Sequence, residues 1–253
     1  MNPKWLTKFE LKPGTWVFVP TPEGVKYGKL IKRTIAKVWT PPYYYYHLKS
    51  GGHVAALRSH LNHSIFLKFD IKNFFGSINK TRVTRCLKKL FNYAQAREIA
   101  NASTVYYPTG DIKYTILPFG FVQSPILASI CLQQSSLGIF IDKLSKNNEV
   151  VVSIYVDDII ISTDNDTLSK SILIQIKNEA KRARFFLNDE KEEGPTNKVS
   201  AFNIEISNTL LQIKSVRMEK FVEVFKNSES PSQRDGILSY IHSINSDQVI
   251  LLN

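Results

Sequence analysis

Two short runs of β-branched and apolar residues flank an adjacent pair of carboxylates. Residues 153–156 (SIYV) precede Asp157 and Asp158, and residues 159–161 (III) follow them. Each run predicts a buried strand. Because two buried charges without a partner are costly, the pattern favours a tight turn that lifts both carboxylates to a sheet edge, where a cation neutralises them. An ordinary Asp-Asp hairpin turn is the alternative, since Asp is common in turns.

A third carboxylate follows another run of strand character. Residues 65–69 (IFLKF) alternate well enough to predict a central strand, and this strand ends on Asp70. Residues 73–77 predict a turn that leads into a helix, and an Asp in this place is also suited to cap that helix. The local pattern therefore leaves two roles open for Asp70, an active-site group or a cap.

Helical periodicity covers much of the remaining chain. Ser124, followed by Pro125 at the first helical position, predicts the start of a long helix that runs to about residue 146. Other helices are predicted at about 23–38, 81–91, 93–103, 168–180, 217–226 and 232–243. Strands or hairpins are predicted at 15–19, 43–48, 104–115, 185–191, 198–207 and 209–213, and the rest of residues 1–22 is predicted to be irregular.

The composition is that of a basic chain with a normal core. Of its 253 residues 43% are hydrophobic, and the net charge is +11 with a pI near 9.5. This excess of Lys and Arg fits a polyanionic partner, most simply nucleic acid, with a membrane surface as the competing explanation. The absence of a long apolar run and of an apolar leader argues against a membrane span and against secretion. Cys86 and Cys131 fit reduced core thiols of a cytoplasmic protein.

Three carboxylates on neighbouring strands have a specific chemical use. They can hold two divalent ions about 3.5–4 Å apart, one activating a 3′-hydroxyl and one neutralising a triphosphate and the leaving pyrophosphate. Such phosphoryl transfer needs positioning and charge neutralisation rather than a protein nucleophile. Hard carboxylate oxygens favour Mg²⁺, with Mn²⁺ as a substitute. Four histidines lie close together in sequence, but no Cys and no HExxH spacing supports a zinc site there. They are His47, His53, His60 and His63.

Five blocks of the sequence, taken together, resemble the reverse transcriptases. Their order and spacing match that family over about residues 44–213. The size of the chain and the loop between the first two blocks are similar to bacterial enzymes near the retron and defence-associated (abortive-infection-like) lineages. The blocks are FDIKNFF at 69–75, LPFGFVQSPILAS at 117–129, YVDD at 155–158, FFLNDEK at 185–191 and VSAFNIEIS at 199–207.

The resemblance implies roles for individual residues around the metal ions. Lys191 would act as a general acid toward pyrophosphate, and an ion pair with Glu190 or Glu193 is the alternative for this side chain. The groups that would bind metal are the carboxylates of Asp70, Asp157 and Asp158 and the main-chain carbonyl of Ile71.

The resemblance also implies contacts with the nucleotide and the primer. Phe75 falls at the steric-gate position, where a bulky ring excludes a ribose 2′-hydroxyl; an ordinary buried aromatic is the alternative. The second block of the family usually carries Gln where this chain has Phe119, and Gln123 is a candidate to replace it. The nucleotide-binding candidates besides Phe75 are Lys49, Arg58, Phe119, Gly120 and Gln123. The primer-grip candidates are Phe202 and Asn203.

The implied fold is an α+β right-hand polymerase palm, an antiparallel sheet backed by helices, with fingers and a short helical thumb. The expected division is N-terminal fingers at 1–64, palm at 65–80, a fingers insertion at 81–116, palm at 117–207, and the end of the primer-grip hairpin with a small thumb at 208–253.

The function implied is RNA-directed DNA synthesis from dNTPs, with an RNA template, a DNA product and no membrane partner, in a cytoplasmic anti-phage defence system. Phe119 and the short thumb keep two variants open: template-independent or protein-primed DNA polymerisation, and a primer grip completed by a non-coding RNA or a partner protein. A catalytically silent nucleic-acid-binding subunit is the alternative of another class, against which the three carboxylates argue. An RNA polymerase is disfavoured by Phe75.

Overall fold

The computed structural model describes residues 4–108 and 113–252. Short 3₁₀ turns cover Tyr46–Leu48, Asp189–Lys191 and Ser246–Leu252. The strands are β1 (Trp5–Lys12), β2 (Thr15–Pro20), β3 (Ile65–Asp70), β4 (Val105–Tyr106), β5 (Thr115–Ile116), β6 (Val150–Tyr155), β7 (Asp158–Thr163), β8 (Glu193–Thr196), β9 (Lys198–Ala201), β10 (Ile204–Ser207) and β11 (Leu211–Ile213). The helices are α1 (Pro22–Ala36), α2 (Gly52–Arg58), α3 (Lys80–Leu87), α4 (Tyr93–Ser103), α5 (Ser124–Gln133), α6 (Ser136–Leu144), α7 (Asp166–Arg182), α8 (Ser215–Asn227) and α9 (Pro231–Ile244).

The central sheet is antiparallel, with the strand order β6-β7-β3-β8. The side chains of β3 alternate between its two faces, as expected for a strand. Leu67 and Phe69 join a core with α5, α6 and α7, whereas Phe66 joins a second core on the other face. A sheet covered by helices on one face and by further strands on the other agrees with the predicted α+β class.

The second core belongs to the C-terminal part of the chain. A three-stranded sheet, β9-β10-β11, packs with α8 and α9 against Phe66 and Ile160 of the central sheet. Gln248 joins the last residues to this sheet: its Oε1 accepts from the N–H of Ile213 at 2.7 Å, and its Nε2 donates to the Ile213 carbonyl at 2.9 Å. The C-terminal helices are therefore fixed to the palm by a shared apolar core.

The N-terminal hairpin, β1 with β2, docks on the loop before α5. The N–H of Phe18 donates to the carbonyl of Phe119 at 2.9 Å. Gly120 follows with φ +106, and a Cβ there would lie 2.4 Å from the Phe18 carbonyl oxygen. The close approach of the two backbones requires glycine at this position.

The predicted long helix from residue 124 is wrong, because the structure divides it into α5 and α6. Ser135 caps the second helix by accepting a hydrogen bond from the N–H of Gly138 at 3.1 Å. The two helices are bent 78° apart. Among the described residues no single helix is long and apolar enough to span a membrane, and only this bent pair reaches that length and composition together.

Three other predictions of local structure are corrected. Residues 43–48 do not form a strand: Tyr45 makes an isolated bridge to Ile154, and the chain then turns through Tyr46–Leu48. Residues 185–191 make one bridge, Ile71 to Leu187, before a 3₁₀ turn. The residues predicted as irregular before 13 include β1, which pairs along β2.

The hairpin predicted at 104–115 is confirmed by the pairing of β4 with β5. The middle of its turn, residues 109–112, lies outside the described residues. The subdomain boundaries stay a prediction.

Candidate active site at the edge of the central sheet

The three Asp residues meet at one edge of the central sheet. Asp70, the last residue of β3, pairs in register with Asp158, the first residue of β7. Asp157 lies in the turn between β6 and β7, and its carbonyl accepts a hydrogen bond from the N–H of Ile71 at 2.9 Å. Strand register therefore brings together the carboxylates that the sequence predicted on separate strands.

The turn that carries Asp157 has a strained backbone. Val156 has φ +61, an unfavourable value for a β-branched residue. His47 supports it, since its Nδ1 accepts the N–H of Val156 at 3.0 Å while its Nε2 lies 2.8 Å from Ser129 Oγ. Burial lowers the pKa of His47 to about 4, so it remains a neutral acceptor near pH 7.

The electrostatics of the edge are those of crowded carboxylates short of positive charge. Burial, followed by the charges of Asp157 and Asp70, raises the pKa of Asp158 to about 7. Burial also raises the pKa of Asp157, against a backbone hydrogen bond that lowers it. Asp70 is only 4% exposed. The folded protein thus holds negative charge here that a bound cation would stabilise.

Lys191 supplies one positive charge to this edge. Its Nζ lies 2.8 Å from Asp70 Oδ2, and this hydrogen bond raises the pKa of the lysine. Asn188 holds the other oxygen, with Nδ2 3.2 Å from Asp70 Oδ1. The alternative ion pair of Lys191 with Glu190 or Glu193 is wrong: Glu193 pairs with Lys68 at 2.7 Å, and Lys191 pairs with Asp70.

The donor set at this edge fits a divalent cation of the Mg²⁺ type. Asp70, Asp157 and Asp158 offer hard oxygen ligands, which such ions prefer. As the side chains stand, no group of three or more His, Cys, Asp or Glu within residues 4–108 and 113–252 is close enough together to hold a metal ion. Lys191 and Asn188 each give a hydrogen bond to one oxygen of Asp70, so both oxygens already have a protein partner.

Phe75, which follows the end of β3, forms an aromatic pair with Phe119. Their ring centroids lie 5.8 Å apart in an edge-to-face arrangement, and Phe119 is 45% exposed. Phe75 also packs on Phe74 at 5.7 Å. An exposed aromatic ring therefore stands where the family pattern has Gln, in contact with the candidate gate.

Gln123, the candidate to replace that missing Gln, is a buried residue. Its side chain is only 3% exposed, and a Cβ at Gly28 of α1 would lie 2.4 Å from its Oε1. Its Nε2 lies 3.4 Å from Ser103 Oγ. The side chain is therefore buried beneath α1, and its contact with a nucleotide stays a prediction.

The two cations predicted to bind the triphosphate have other partners. Lys49 Nζ contacts the Tyr43 carbonyl and lies 3.6 Å from the centroid of the Tyr46 ring. Arg58 Nη2 donates to the carbonyl of Ser243, near the end of α9, at 2.5 Å. The structure brings neither to the carboxylates, and their nucleotide contacts stay a prediction.

Sequence reasoning missed Lys12, which ends β1. Burial raises the pKa of Asp157, and the positive charge of this exposed lysine opposes that shift as a minor contribution. Gly14, with φ +78, closes the hairpin turn that presents it. The Lys-Pro-Gly signal before the predicted strand at 15–19 could have revealed a hairpin here, but its proximity to Asp157 is a tertiary fact.

The primer-grip candidates lie beside the turn between β6 and β7 that carries Asp157. Phe202 and Asn203 form the turn between β9 and β10, with φ values of +57 and +62. The Phe202 ring centroid is 5.1 Å from that of Tyr155 and 5.2 Å from that of His53. The structure thus joins the turn of the fifth sequence block to the residue that precedes Val156.

The comparisons with known proteins agree with this arrangement. A family model described as reverse transcriptase (RNA-dependent DNA polymerase) matches residues 19–218. No curated protein matches the chain.

Among solved structures, telomerase from Candida albicans in complex with a telomeric RNA fragment has a TM-score of 0.54 and 11% identity, over 90% of this chain and 47% of that one. Apo telomerase from Candida tropicalis has a TM-score of 0.52 and 13% identity, over 86% and 43%. A foamy viral protease–reverse transcriptase with double-stranded DNA has a TM-score of 0.48 and 19% identity, over 92% and 34%. At such identities the likeness concerns the fold alone, and the chain spans less than half the length of each of these proteins.

Proposed function

Because this chain belongs to the reverse transcriptase (RNA-dependent DNA polymerase) family, we propose that it is an RNA-directed DNA polymerase that extends a primer with dNTPs. The observation that carries the proposal is the pairing of Asp70 with Asp158, with Asp157 in the adjoining turn. Three carboxylates that share too little positive charge are suited to nucleotidyl transfer, which depends on cations.

In this mechanism Asp70, Asp157 and Asp158 would hold two Mg²⁺ ions, for which Mn²⁺ can substitute. Bound there, the ions supply activation of a 3′-hydroxyl and neutralisation of the triphosphate. The main-chain carbonyl of Ile71 is a further oxygen at the same edge.

Two lysines would complete the charge balance around the nucleotide. Lys191, which pairs with Asp70, would give a proton to the leaving pyrophosphate and remain as a neutral amine. Lys12, at the end of β1, is near enough for its charge to act on Asp157 and would bind the anionic phosphates. The role of Lys191 rests on its ion pair with Asp70.

Primer extension with a carboxylate variant tests the proposal. Wild-type protein with Mg²⁺, labelled dNTPs and a DNA primer on an RNA template should give extended product. Asp157→Asn should lower the rate at least about 10³-fold, as expected for the loss of a charge that acts on the transition state. The matched control is Asp166→Asn, which removes an exposed carboxylate from α7 and should extend normally.

Other outcomes of the same assay would contradict the proposal. Full extension by Asp157→Asn would exclude the carboxylate edge as the reaction centre. RNA binding without extension under any divalent ion would favour the silent binding subunit. Equal product without a template would favour the template-independent rival, for which the exposed Phe119 in place of Gln is the supporting observation.

We further propose that the protein is a cytoplasmic bacterial enzyme of anti-phage defence that works with a non-coding RNA or a partner protein. This proposal rests on the sequence blocks. The same two variants test it in a phage-challenged host. Protection should be lost with Asp157→Asn and kept with Asp166→Asn, and equal plaque counts for both would contradict a defence role for synthesis.

A further inference from the structure

Positive charge is concentrated on α1 and α3 in the N-terminal half, and the neighbouring α4 carries one cation, Arg97, and one carboxylate, Glu98. Residues 22–37, which include α1, carry five Lys and Arg and a single Glu, and residues 80–97, which include α3, carry six Lys and Arg and no acidic residue. Within residues 4–108 and 113–252, none of these cations is in an ion pair. A helix face that serves only solubility normally mixes both signs of charge. The excess of eleven cations over two carboxylates, Glu23 and Glu98, therefore suggests a polyanionic partner.

Tyr93, the first residue of α4, forms an aromatic platform between two of these cations. The side chain is 56% exposed. Lys88 Nζ lies 5.7 Å from its ring centroid, and the Arg97 guanidinium lies 6.0 Å from it. Arg97 Nη1 also donates to the Tyr93 hydroxyl at 3.0 Å, which holds the ring in place. Exposed rings bordered by cations are typical of surfaces on which unpaired bases stack while phosphates bind nearby.

The helices α1 and α4 form one continuous surface. The Tyr27 hydroxyl donates to Glu98 Oε1 at 2.7 Å, so this acidic side chain is already engaged. A groove runs between the two helices, lined by Tyr27, Leu30 and Gln95 among others. Leu30 is 54% exposed and stands beside the exposed cations of α1. The surface thus joins cations, apolar contact area and an aromatic ring.

We propose that this surface, formed by α1, α3 and α4, binds an unpaired segment of RNA at a site separate from the carboxylate edge. The cations hold phosphates, and a base stacks on Tyr93. Binding of a single strand follows from the surface itself. The choice of RNA over DNA rests on the proposed function, in which RNA is the strand that enters unpaired and DNA leaves paired.

Fluorescence anisotropy with the full chain tests the proposal, with a fluorescein-labelled, 20-nucleotide single-stranded RNA as the probe. The test variant neutralises four exposed cations: Arg85→Gln, Lys88→Gln, Lys89→Gln and Arg97→Gln. The matched control removes the same charge from α6, α7 and the loop between α6 and β6: Lys143→Gln, Lys146→Gln, Lys170→Gln and Lys181→Gln.

The Kd of the test variant at 150 mM salt should rise about tenfold or more, and that of the control less than about threefold. The slope of log K against log salt should fall by about 2 to 3 in the test variant, since each phosphate contact on a single strand contributes about 0.7. Equal losses in the two variants, or no loss in either, would overturn the proposal.

A second variant separates stacking from charge and does not depend on four simultaneous changes. Tyr93→Ala should weaken binding about fivefold or more with an unchanged salt slope, because a stacked base loses its platform while the charges remain. Unchanged affinity would exclude stacking on Tyr93. Circular dichroism melts identify any variant that fails to fold. If the fourfold variant fails to fold, the single variants Tyr93→Ala and Lys88→Gln test the proposal in its place.

Two further measurements address the partner and the location. RNA should bind at least about threefold tighter than single-stranded DNA of the same sequence, and a polyglutamate chain should not displace it. Equal binding of DNA, or displacement by polyglutamate, would overturn the assignment to RNA.

Extension of a primer on a template with a three-nucleotide overhang should stay within about twofold of wild type in the test variant. A parallel loss of extension would place the surface at the carboxylate edge and overturn the proposal. If the wild type binds RNA through this surface but does not extend a primer, only the polymerase proposal fails.

Discussion

At the scale of single residues, the site depends on side chains held by partners distant in sequence. Val156 keeps a left-handed backbone because His47, itself fixed on Ser129, accepts its N–H. Asp70 keeps two polar partners, Lys191 and Asn188, although it is nearly inaccessible to water. Such positions tolerate little change, since the strain and the buried charge are both stabilised by specific contacts.

Phe75 provides a residue-scale prediction about the sugar. Replacement of its ring by Ala should open the space that excludes a 2′-hydroxyl, so Phe75→Ala should incorporate ribonucleotides at least about tenfold better relative to dNTPs. The ratio of kcat/KM for rUTP and dTTP measures this selectivity. The control is Phe186→Ala, which removes a ring that is 71% exposed. An unchanged ratio in Phe75→Ala would exclude it as the gate.

At the scale of elements, the crossing of α5 and α6 shapes the helical layer behind the sheet. A Cβ at Gly138 would lie 2.0 Å from the Leu132 carbonyl oxygen and 2.6 Å from the Gln133 Cα. The contact is with backbone, which cannot move aside as a flexible side chain can. The 78° bend thus requires glycine at this position as well as the Ser135 cap.

A pair of glycine substitutions tests this requirement. Gly138→Ala should lower the free energy of unfolding by about 1–3 kcal/mol, the range typical of overpacking. Gly236→Ala in α9 is the control, because no atom lies within 4 Å of its Cβ position; it should be neutral or stabilise by up to about 1 kcal/mol. Urea unfolding gives both values, and a neutral Gly138→Ala would show that the crossing relaxes without cost.

At the scale of the whole molecule, the central sheet contributes to two cores. A buried histidine, His60, links two of its strands, β6 and β7. His60 Nδ1 lies 2.8 Å from Ser162 Oγ on β7, and its Nε2 lies 2.7 Å from Ser153 Oγ on β6. Burial lowers its pKa from the ordinary 6.5 to about 3. Between these values the unfolded chain binds a proton that the folded chain does not. The stability that the neutral ring provides is therefore complete above pH 6.5 and declines as the pH falls toward 3.

The pH dependence of unfolding measures this effect. Between pH 8 and pH 5 the free energy of unfolding should fall by about 2 kcal/mol more in the wild type than in His60→Gln. The figure follows from about 1.4 kcal/mol per pH unit between pH 6.5 and pH 5. His242→Gln, at an exposed position in α9, is the control and should follow the wild type. Parallel curves for the wild type and His60→Gln would mean that His60 does not stay neutral in the folded state.

The sequence by itself determined the local parts of this protein. Alternating and β-branched runs predicted β3, β6 and β7, and the chemistry of Asp predicted that Asp70, Asp157 and Asp158 end or join those strands. The order of five blocks was enough to indicate the family, since each block is a continuous segment whose side chains act together. The start of α5 at Ser124 was predicted as well, but not its cap: the N-cap is Gln123, and Ser124 Oγ donates to the carbonyl of Pro118 at 2.7 Å.

Only the tertiary structure decided which distant groups meet. The register of β3 against β7 pairs Asp70 with Asp158, and the packing of α1 buries Gln123. The partner of Lys191 and the proximity of Lys12 to Asp157 depend on long-range pairing of the backbone. Short patterns specify the periodicity of one element, but they carry no information about which element lies against it. The charged partners of the carboxylates were therefore beyond sequence reasoning, although the carboxylates themselves were not.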